Sequence, residues 1–131
     1  MSQGNVAIAR AFLDAYNRED FDAVLNHAAP DFVLDFSRAL GPYRGVYQRH
    51  EIRDFLQELN ATFESVRFEP QDFIEADDCV VVPLTIQFEG REGITVKADT
   101  TNLWKFRDGA VVRVVLYQEL DEALEAVGLS E

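Results

Sequence analysis

Two polar side chains of this chain lie where they could act on a carbonyl compound. Asp35 is the only carboxylate within the apolar segment 32–36, and Asn102 lies two residues before the single tryptophan, Trp104. A carboxylate directed inward among aromatic rings has a raised pKa and can serve as a base. A buried amide can donate its N–H to a ligand oxygen. If both residues face one hollow, acid–base chemistry without a metal or cofactor is the expected activity.

The position of each polar group leaves an alternative open. Tyr16 ends the apolar stripe of the first predicted helix, so its ring packs in the core while its hydroxyl either stays there or reaches a pocket. Asn102 either bonds Tyr16, the backbone or a trapped water, or it faces a ligand. Asp35 shares a strand face with Val33, opposite three apolar neighbours, and we favour the outward orientation for it.

Several other classes of function are excluded by what the sequence lacks. It has no P-loop, GxGxxG, GxSxG, HExxH or CxxC pattern, and neither His27 nor His50 has a partner at metal-ligand spacing. Its one cysteine, Cys79, opens an apolar run where a thiol packs as a small hydrophobe. The net charge of −12 repels nucleic acid and anionic membranes, so we expect neither as a partner. No basic segment followed by an apolar run opens the chain, which favours a cytoplasmic location.

The elements that must position these residues follow from the apolar periodicity. Helical spacing predicts a helix that ends near Asn17, a second from Asp20 to Pro30 and a third along the stripe from Ile52 to Phe63. A short strand precedes the third helix, and four strands of period two follow it, divided by turns such as Asp108-Gly109. A short helix from 120 to 127 closes the chain. This order predicts one α+β domain over residues 1–131, with a mainly antiparallel sheet wrapped on three N-terminal helices.

Alternation along the strands predicts which side chains face the helices. In the longest strand the inward set contains Thr100, Asn102 and Trp104, and Leu84 belongs to the apolar inward face of the preceding strand. In the last strand we assign Val112, Val114, Leu116 and Gln118 to the interior. The outward side chains of the last strand then include Val115 and Tyr117. Together with Val81 and Pro83 from the strand of Leu84, they would form an apolar outer patch suited to a homodimer.

The layout and four segments resemble the SnoaL-like family of the nuclear transport factor 2-like superfamily. The segments are NREDFD at 17–22, GPYRGV at 41–46, WKFRDG at 104–109 and EALEAVGL at 122–129. The resemblance covers nearly the whole chain and implies a cone-shaped α+β roll around an apolar pocket. Members of the superfamily include ketosteroid isomerase, polyketide cyclases, epoxide hydrolases and proteins without known catalysis.

The resemblance also implies roles for individual positions. Compared with ketosteroid isomerase, Phe12 takes the place of the oxyanion tyrosine, Asn102 that of the protonated aspartic acid, and Phe36 that of the catalytic base, with Asp35 one residue away. Lys97 and Asp99 imitate only the spacing of the arginine and aspartate of the epoxide hydrolases. A cyclase would use Asp35, with Gln118 as a polar helper.

Three functions remain as hypotheses at this stage. The first is an enzyme or enzyme-like protein for a small hydrophobic carbonyl compound. In it Asp35, Asn102 and Tyr16 are catalytic, and the ligand-binding residues are Phe12, Phe36, Thr100, Trp104, Gln118 and Leu84. The second is a binding module with the same pocket and no turnover, which phenylalanines at both expected catalytic positions favour. The third is a dimeric interaction domain that uses the outer sheet face.

Overall fold

The computed structural model describes residues 2–39 and 43–129, which form a seven-stranded sheet with helices on both of its faces. The helices are α1 (Ser2–Asn17), α2 (Phe21–Asn26), α3 (Arg49–Thr62) and α4 (Leu120–Ala126). The strands are β1 (Ala28–Phe36), β2 (Gly45–Gln48), β3 (Ser65–Pro70), β4 (Ile74–Ala76), β5 (Cys79–Glu89), β6 (Thr95–Arg107) and β7 (Ala110–Tyr117). The α+β class with a mainly antiparallel sheet, three N-terminal helices and a short C-terminal helix is confirmed. None of the described helices is long and apolar enough to cross a bilayer.

The helix boundaries follow from local capping chemistry. The carboxylate of Asp20 accepts a hydrogen bond from the Ala23 amide and starts α2 as its N-cap. Gln48 and Glu51 form a capping box at the start of α3. After α4, Gly128 adopts a positive φ of 78°, and the amides of Gly128 and Leu129 bond the carbonyls of Glu125 and Leu124. That pattern is a Schellman C-cap, which confirms the predicted end of the chain's last helix.

The sheet has the order β2-β1-β7-β6-β5-β3, with β4 paired to β5. All pairs are antiparallel except β1 with β7. Between β6 and β7, Asp108 and Gly109 have φ values of 53° and 79°. Positive φ at both central residues defines the two-residue turn that Asp-Gly favours, as predicted.

The main core lies between the inner face of this sheet and α1, α2 and α3. It contains Val80, Val82, Leu84 and Ile86 from β5, together with Trp104 and Phe106 from β6. Only the start of β6 departs from the predicted inward set, because Val96 is 55% exposed. The inward faces predicted for β5 and for the rest of β6 are therefore confirmed.

The predicted inward position of Val112 is wrong. Val111 is fully buried in the main core, and Val112 is only half-buried. The pairing of β6 with β7 shifts register between Lys105 and Phe106, so that Lys105 pairs with Arg113 while Phe106 pairs with Val111. One extra residue in β7 reverses the alternation at that point.

The outer face of the sheet is not the open apolar patch that the sequence predicted. Val81 and Val115 do point outward, yet they are 0% and 5% exposed because α4 packs over them. Ala123, at 0% exposure, forms the contact of α4 with this second core. Only Tyr117 and Pro83 of the predicted patch remain half-exposed.

In the first half of the chain the structure differs from the predicted elements at two further places. Pro30 does not end α2, which stops at Asn26, but lies inside β1 near a register shift between Ala28 and Val33. Such an irregularity tolerates a residue without an N–H. Gly45–Gln48 forms the edge strand β2, which the apolar periodicity did not predict. Of the GPYRGV segment at 41–46, residues 41 and 42 lie outside the described residues.

Asn17 fixes the end of α1 to the sheet. Its amide nitrogen donates to the Phe68 carbonyl at 2.8 Å, and its amide oxygen accepts from the Phe68 N–H at 2.9 Å. We expect Asn17→Ala to lower the free energy of unfolding by about 1–3 kcal/mol, because two partly buried backbone groups lose their partner. Urea unfolding would measure the change. The exposed Asp14→Ala on the same helix should stay within about 0.5 kcal/mol of wild type, and an equal loss in both variants would contradict the assigned role of Asn17.

Candidate functional site

Two adjoining cavities lie between the helices and the inner face of the sheet. The first, of about 50 Å³, is the Asn102 chamber. Its walls come from α1, α2, α3 and the sheet, and they are Phe12, Leu13, Tyr16, Val24, Phe32, Leu34, Phe36, Ile52, Phe55, Leu56, Phe68, Asn102, Trp104 and Val114. The second, of about 100 Å³, is the Thr100 chamber, lined by Phe36, Ala39, Tyr43, Phe55, Leu59, Phe68, Ile86, Phe88, Thr100, Leu116 and Gln118.

The aromatic side chains fill much of the hollow without closing it. Phe12 meets Trp104 edge to face at 4.8 Å between ring centroids, and Phe36 meets Phe55 in the same way at 5.8 Å. Edge-to-face contacts of this kind hold rings in fixed orientations. The predicted ligand-binding residues Phe12, Phe36 and Trp104 therefore form the walls of the remaining space.

Asn102 is directed into the hollow and its amide oxygen has no partner. The residue is 3% exposed, and no described residue donates a hydrogen bond to its Oδ1. Its neighbours across the sheet, Val82 on β5 and Leu116 on β7, have no polar group to offer. Of the alternatives stated from sequence, a bond to Tyr16 is therefore absent.

Two more polar groups on the same face of β6 also lack a hydrogen-bond partner. The indole N–H of Trp104 and the hydroxyl of Thr100 are buried without a hydrogen-bond partner in the described part of the chain. Trp104 pairs with Val80 and Val114, and Thr100 pairs with Leu84. Because most buried polar groups in proteins are satisfied, three unsatisfied ones along one strand face indicate a place for further hydrogen-bonding atoms.

Tyr16 lines the Asn102 chamber, but its hydroxyl is directed to another residue. It donates to the Asn60 Oδ1 at 3.1 Å. Burial, and then the negative charge of Glu19, raise the pKa of Tyr16 above its usual range, so the phenol stays neutral. Tyr16 is therefore a hydrogen-bond donor beside the chamber and not a base.

The sequence reasoning missed Asn60, which bonds Tyr16 at the wall of the Asn102 chamber. Its amide nitrogen is buried without a partner among the described residues, next to the Tyr16 hydroxyl. A signal was present, because Asn60 lies four residues after Leu56 and so shares the apolar face of α3. A polar residue within such a stripe is a candidate for an internal hydrogen bond.

Asp35 is not brought to either chamber. Leu34 and Phe36 point into the main core, so the intervening carboxylate is on the outer face, where it is 7% exposed. Its Oδ1 accepts from the Ser37 amide at 3.0 Å and the Ser37 hydroxyl at 2.6 Å, and its Oδ2 accepts from Arg113 Nη2 at 2.8 Å. The outward alternative is the observed one, and this placement gives Asp35 no route to a ligand in the hollow.

The charge of Asp35 is stabilised where it lies. Burial alone would raise the pKa of this carboxyl, but the hydrogen bonds from Ser37 and the charge of Arg113 outweigh it and hold the pKa below the usual range. A base for neutral-pH chemistry needs the opposite shift. The pair is therefore a structural ion pair on the outer face.

The remaining predicted residues are divided between the cavities and the surface. Thr100 and Gln118 line the Thr100 chamber and an open surface cleft of about 570 Å³. Leu84 is buried in the core and borders only that cleft. On the outer face Asp99 accepts from Thr85 and Lys97 is exposed, so their epoxide-hydrolase spacing stays outside the hollow. Burial raises the pKa of the Cys79 thiol, which suits a packed side chain better than a nucleophile.

Comparison with solved structures shows the same fold in several proteins. TerC, crystallised with polyporic acid, is 23% identical with a TM-score of 0.78, and the match covers 95% of this chain and 97% of that one. An NTF2-like protein of unknown function from Burkholderia pseudomallei is 22% identical with a TM-score of 0.76, over 95% and 98% of the two chains. A candidate polyketide cyclase from Xanthomonas campestris is 26% identical with a TM-score of 0.69, over 97% and 98%. No curated protein sequence matches the chain significantly.

The family follows from the sequence match. The model of the SnoaL-like domain matches residues 9–114, a span that runs from α1 into β7 and contains Phe12, Asn102 and Trp104. The fold and the resemblance expected from the sequence agree with this match. The chain belongs to the SnoaL-like family, with the cone-shaped architecture of nuclear transport factor 2-like proteins.

Proposed function

We propose that this protein binds a small, mainly apolar molecule with a carbonyl or hydroxyl oxygen in the hollow between helices and sheet. The observation that carries the proposal is the unpartnered Asn102 Oδ1 and Trp104 Nε1 at the wall of an otherwise apolar chamber. A buried polar group without a partner costs about 1–3 kcal/mol. A ligand that supplies an acceptor to the indole N–H and a donor to the amide oxygen removes that cost.

The arrangement supports binding better than acid–base turnover. Within residues 2–39 and 43–129 no carboxylate lines either chamber, and Asp35 is held on the other side of the sheet by Arg113. Tyr16 stays protonated and donates to Asn60. The polar groups at the hollow therefore suit the recognition of an oxygen atom and provide no residue that would remove a proton from carbon.

A ligand screen on wild type and Asn102→Ala tests the proposal. Cyclohexanone and 4-ethylphenol are suitable probes, because each combines one ring with one oxygen. We expect them to raise the Tm of wild type, since a ligand at 100 times its Kd adds about 2.7 kcal/mol of apparent stability. In Asn102→Ala the affinity for 4-ethylphenol, whose hydroxyl can donate to the amide oxygen, should fall by about tenfold, equivalent to about 1.4 kcal/mol. Cyclohexanone has no donor and can accept only from the Trp104 indole N–H, so its affinity should change less.

The single tryptophan gives a second readout of the same binding. Trp104 is 1% exposed and lines the chamber, so its emission should change on titration with cyclohexanone. Lys97→Ala is a matched control, because Lys97 is an exposed residue of the same strand. An unchanged Tm and unchanged emission of wild type with every probe would refute the proposal, as would equal affinities of wild type and Asn102→Ala for 4-ethylphenol.

A further inference from the structure

Strand β6 is longer than its neighbour β7, so part of one edge of β6 has no partner strand. β7 pairs with β6 only along residues 101–107. The preceding residues, 95–100, pair with β5 on one side, and no strand of the described residues pairs with them on the other. This second side of 95–100 is the open edge of β6. It is accessible, because Lys97 and Asp99 are both exposed.

The backbone groups of every second residue point out of this edge. In an antiparallel pair, successive residues of a strand direct their N–H and C=O alternately towards the partner strand and away from it. The Gly90 amide donates to the Ile94 carbonyl at 2.6 Å, and the Phe106 amide donates to the Asp78 carbonyl at 3.0 Å, both in line with the register of β5 and β6. Even-numbered residues of β6 are therefore directed at β5. The residues of the open edge that direct their backbone groups away from β5 are Thr95, Lys97 and Asp99.

The β3 edge of the sheet is covered, whereas the open edge of β6 is not. At β3 the Asn17 side chain bonds both the N–H and the carbonyl of Phe68. Unpaired N–H and C=O groups on a sheet edge are a template for a further strand, and proline, bulges or charged side chains normally prevent such pairing. The segment 95–100 contains no proline, its pairing with β5 has no register shift, and its two charged side chains have opposite signs. The charges of an approaching strand therefore decide whether this edge can accept it.

A second copy of this chain offers matching charges in one antiparallel register. A two-fold axis at Lys97 or at Asp99 would set that residue against its own copy, and like charges directly opposite each other are destabilising. Only an axis at Ala98 sets Lys97 opposite Asp99 of the other copy, and Asp99 opposite the other copy's lysine. Both side chains are on the outer face of β6, and neither forms an ion pair within the described part of the chain. In this register the outward-directed backbone groups of the two residues also lie opposite one another.

The other side chains near that axis fit the same contact. Ala98 would lie opposite its own copy in a pair without hydrogen bonds, where Cα atoms are about 4.5 Å apart, and its small side chain leaves room for that approach. Ile94 and Val96 are 65% and 55% exposed, the highest values among the large apolar side chains of the described residues. A second copy at the open edge would remove part of this apolar surface from water.

We propose that two copies of this chain associate through the open edges of β6, antiparallel about a two-fold axis at Ala98. Each Lys97 then pairs with Asp99 of the other copy, and the backbones of each such pair exchange two hydrogen bonds. The contact joins the two sheets edge to edge and is distinct from the outer sheet face, which α4 covers at Val81 and Val115. Because the contact is small, the dimer should be in reversible equilibrium with the monomer.

Sedimentation velocity with charge-reversed variants tests this arrangement. We expect the molar mass of wild type to rise with protein concentration towards twice the monomer value. Lys97→Asp and Asp99→Lys each place two like-charge pairs at the contact, so each should raise the dimer Kd by about tenfold or more. The double variant Lys97→Asp/Asp99→Lys restores both opposite-charge pairs and should dimerise as wild type does.

An equimolar mixture of the two single variants is the most specific test. In the mixed pair one copy carries two acidic residues at the contact and the other two basic ones, so both cross-strand pairs are of opposite charge and a heterodimer should form. Both variants keep a strongly negative net charge, so general attraction would not join them.

Lys105→Asp is the matched control, because Lys105 is exposed on the same face of β6 but lies where β7 already pairs. It should leave the dimer Kd unchanged. A wild type that stays monomeric up to millimolar concentration would overturn the inference. A dimer that neither single variant weakens, or single variants that do not associate when mixed, would overturn it as well. The contact does not involve the hollow, so each of these failures leaves the proposed function unchanged.

Discussion

Asn102→Leu is expected to make the ligand-free protein more stable and to abolish ligand binding. Leucine is close to asparagine in size, and it replaces an amide whose Oδ1 is buried among apolar neighbours without a partner in the described chain. Removing an unsatisfied buried polar group recovers its desolvation cost, so we expect the free energy of unfolding to rise by about 1–2 kcal/mol. The corresponding rise in Tm is about 4 °C per kcal/mol for a domain of this size.

Asn17→Leu is the matched control for that experiment. The same substitution removes an amide whose nitrogen and oxygen are both bonded to the Phe68 backbone. We therefore expect a change of opposite sign, a loss of about 1–3 kcal/mol. Urea unfolding of wild type and both variants without ligand would measure the two effects. A loss of stability in both would mean that Asn102 is satisfied internally, and the proposed ligand site would lose its main support.

An amide retained at a cost to stability indicates selection for something other than folding. Buried polar groups without partners are rare in native proteins, and those that persist are concentrated at sites with a further role. Thr100, Asn102 and Trp104 follow one another on the inner face of β6, and their cross-strand neighbours are apolar. The inner face of β6 is therefore the part of this fold that is most difficult to explain by packing alone.

Local patterns were sufficient to predict much of this architecture. The alternation of polar and apolar residues in β6 fixed the face of Asn102 and Trp104, because neighbouring strands cover both sides of it. Asp108-Gly109 predicted a turn because few other residue pairs adopt positive φ twice in succession. These features depend on residues close together in the sequence.

The features that were missed depend on contacts between distant residues or on small shifts in register. The partner of Tyr16 is Asn60, 44 residues away, and the partner of Asp35 is Arg113, 78 residues away. The bulge in β7 places Val111 in the core instead of Val112. The sequence does not reveal this bulge, because both candidates are valines. Likewise, the amphipathic pattern of α4 indicates a buried face but does not specify which surface that face covers.

Replacing Asp35 tests the ion pair on the outer face and its dependence on pH. The pKa of Asp35 is lowered in the folded state, so folding favours the charged form. The associated stability is fully present above the unfolded pKa of about 3.9 and is lost as the pH falls through the lower folded value. At pH 7 we expect Asp35→Asn to be about 2 kcal/mol less stable than wild type, below the 3–5 kcal/mol typical of a fully buried pair, because the Arg113 side chain is 40% exposed.

Acidification should reduce that difference between wild type and Asp35→Asn. As the wild-type carboxyl is protonated below about pH 4, it loses the interaction with Arg113 that the asparagine lacks at every pH, and the two unfolding curves should converge. Asp14→Asn, at an exposed position of α1, should run parallel to wild type over the same range. Chemical unfolding at pH 7, 5, 4 and 3 measures the three differences. If the gap between Asp35→Asn and wild type stayed constant from pH 7 to pH 3, the charge of Asp35 would make no contribution and its role would reduce to the hydrogen bonds from Ser37.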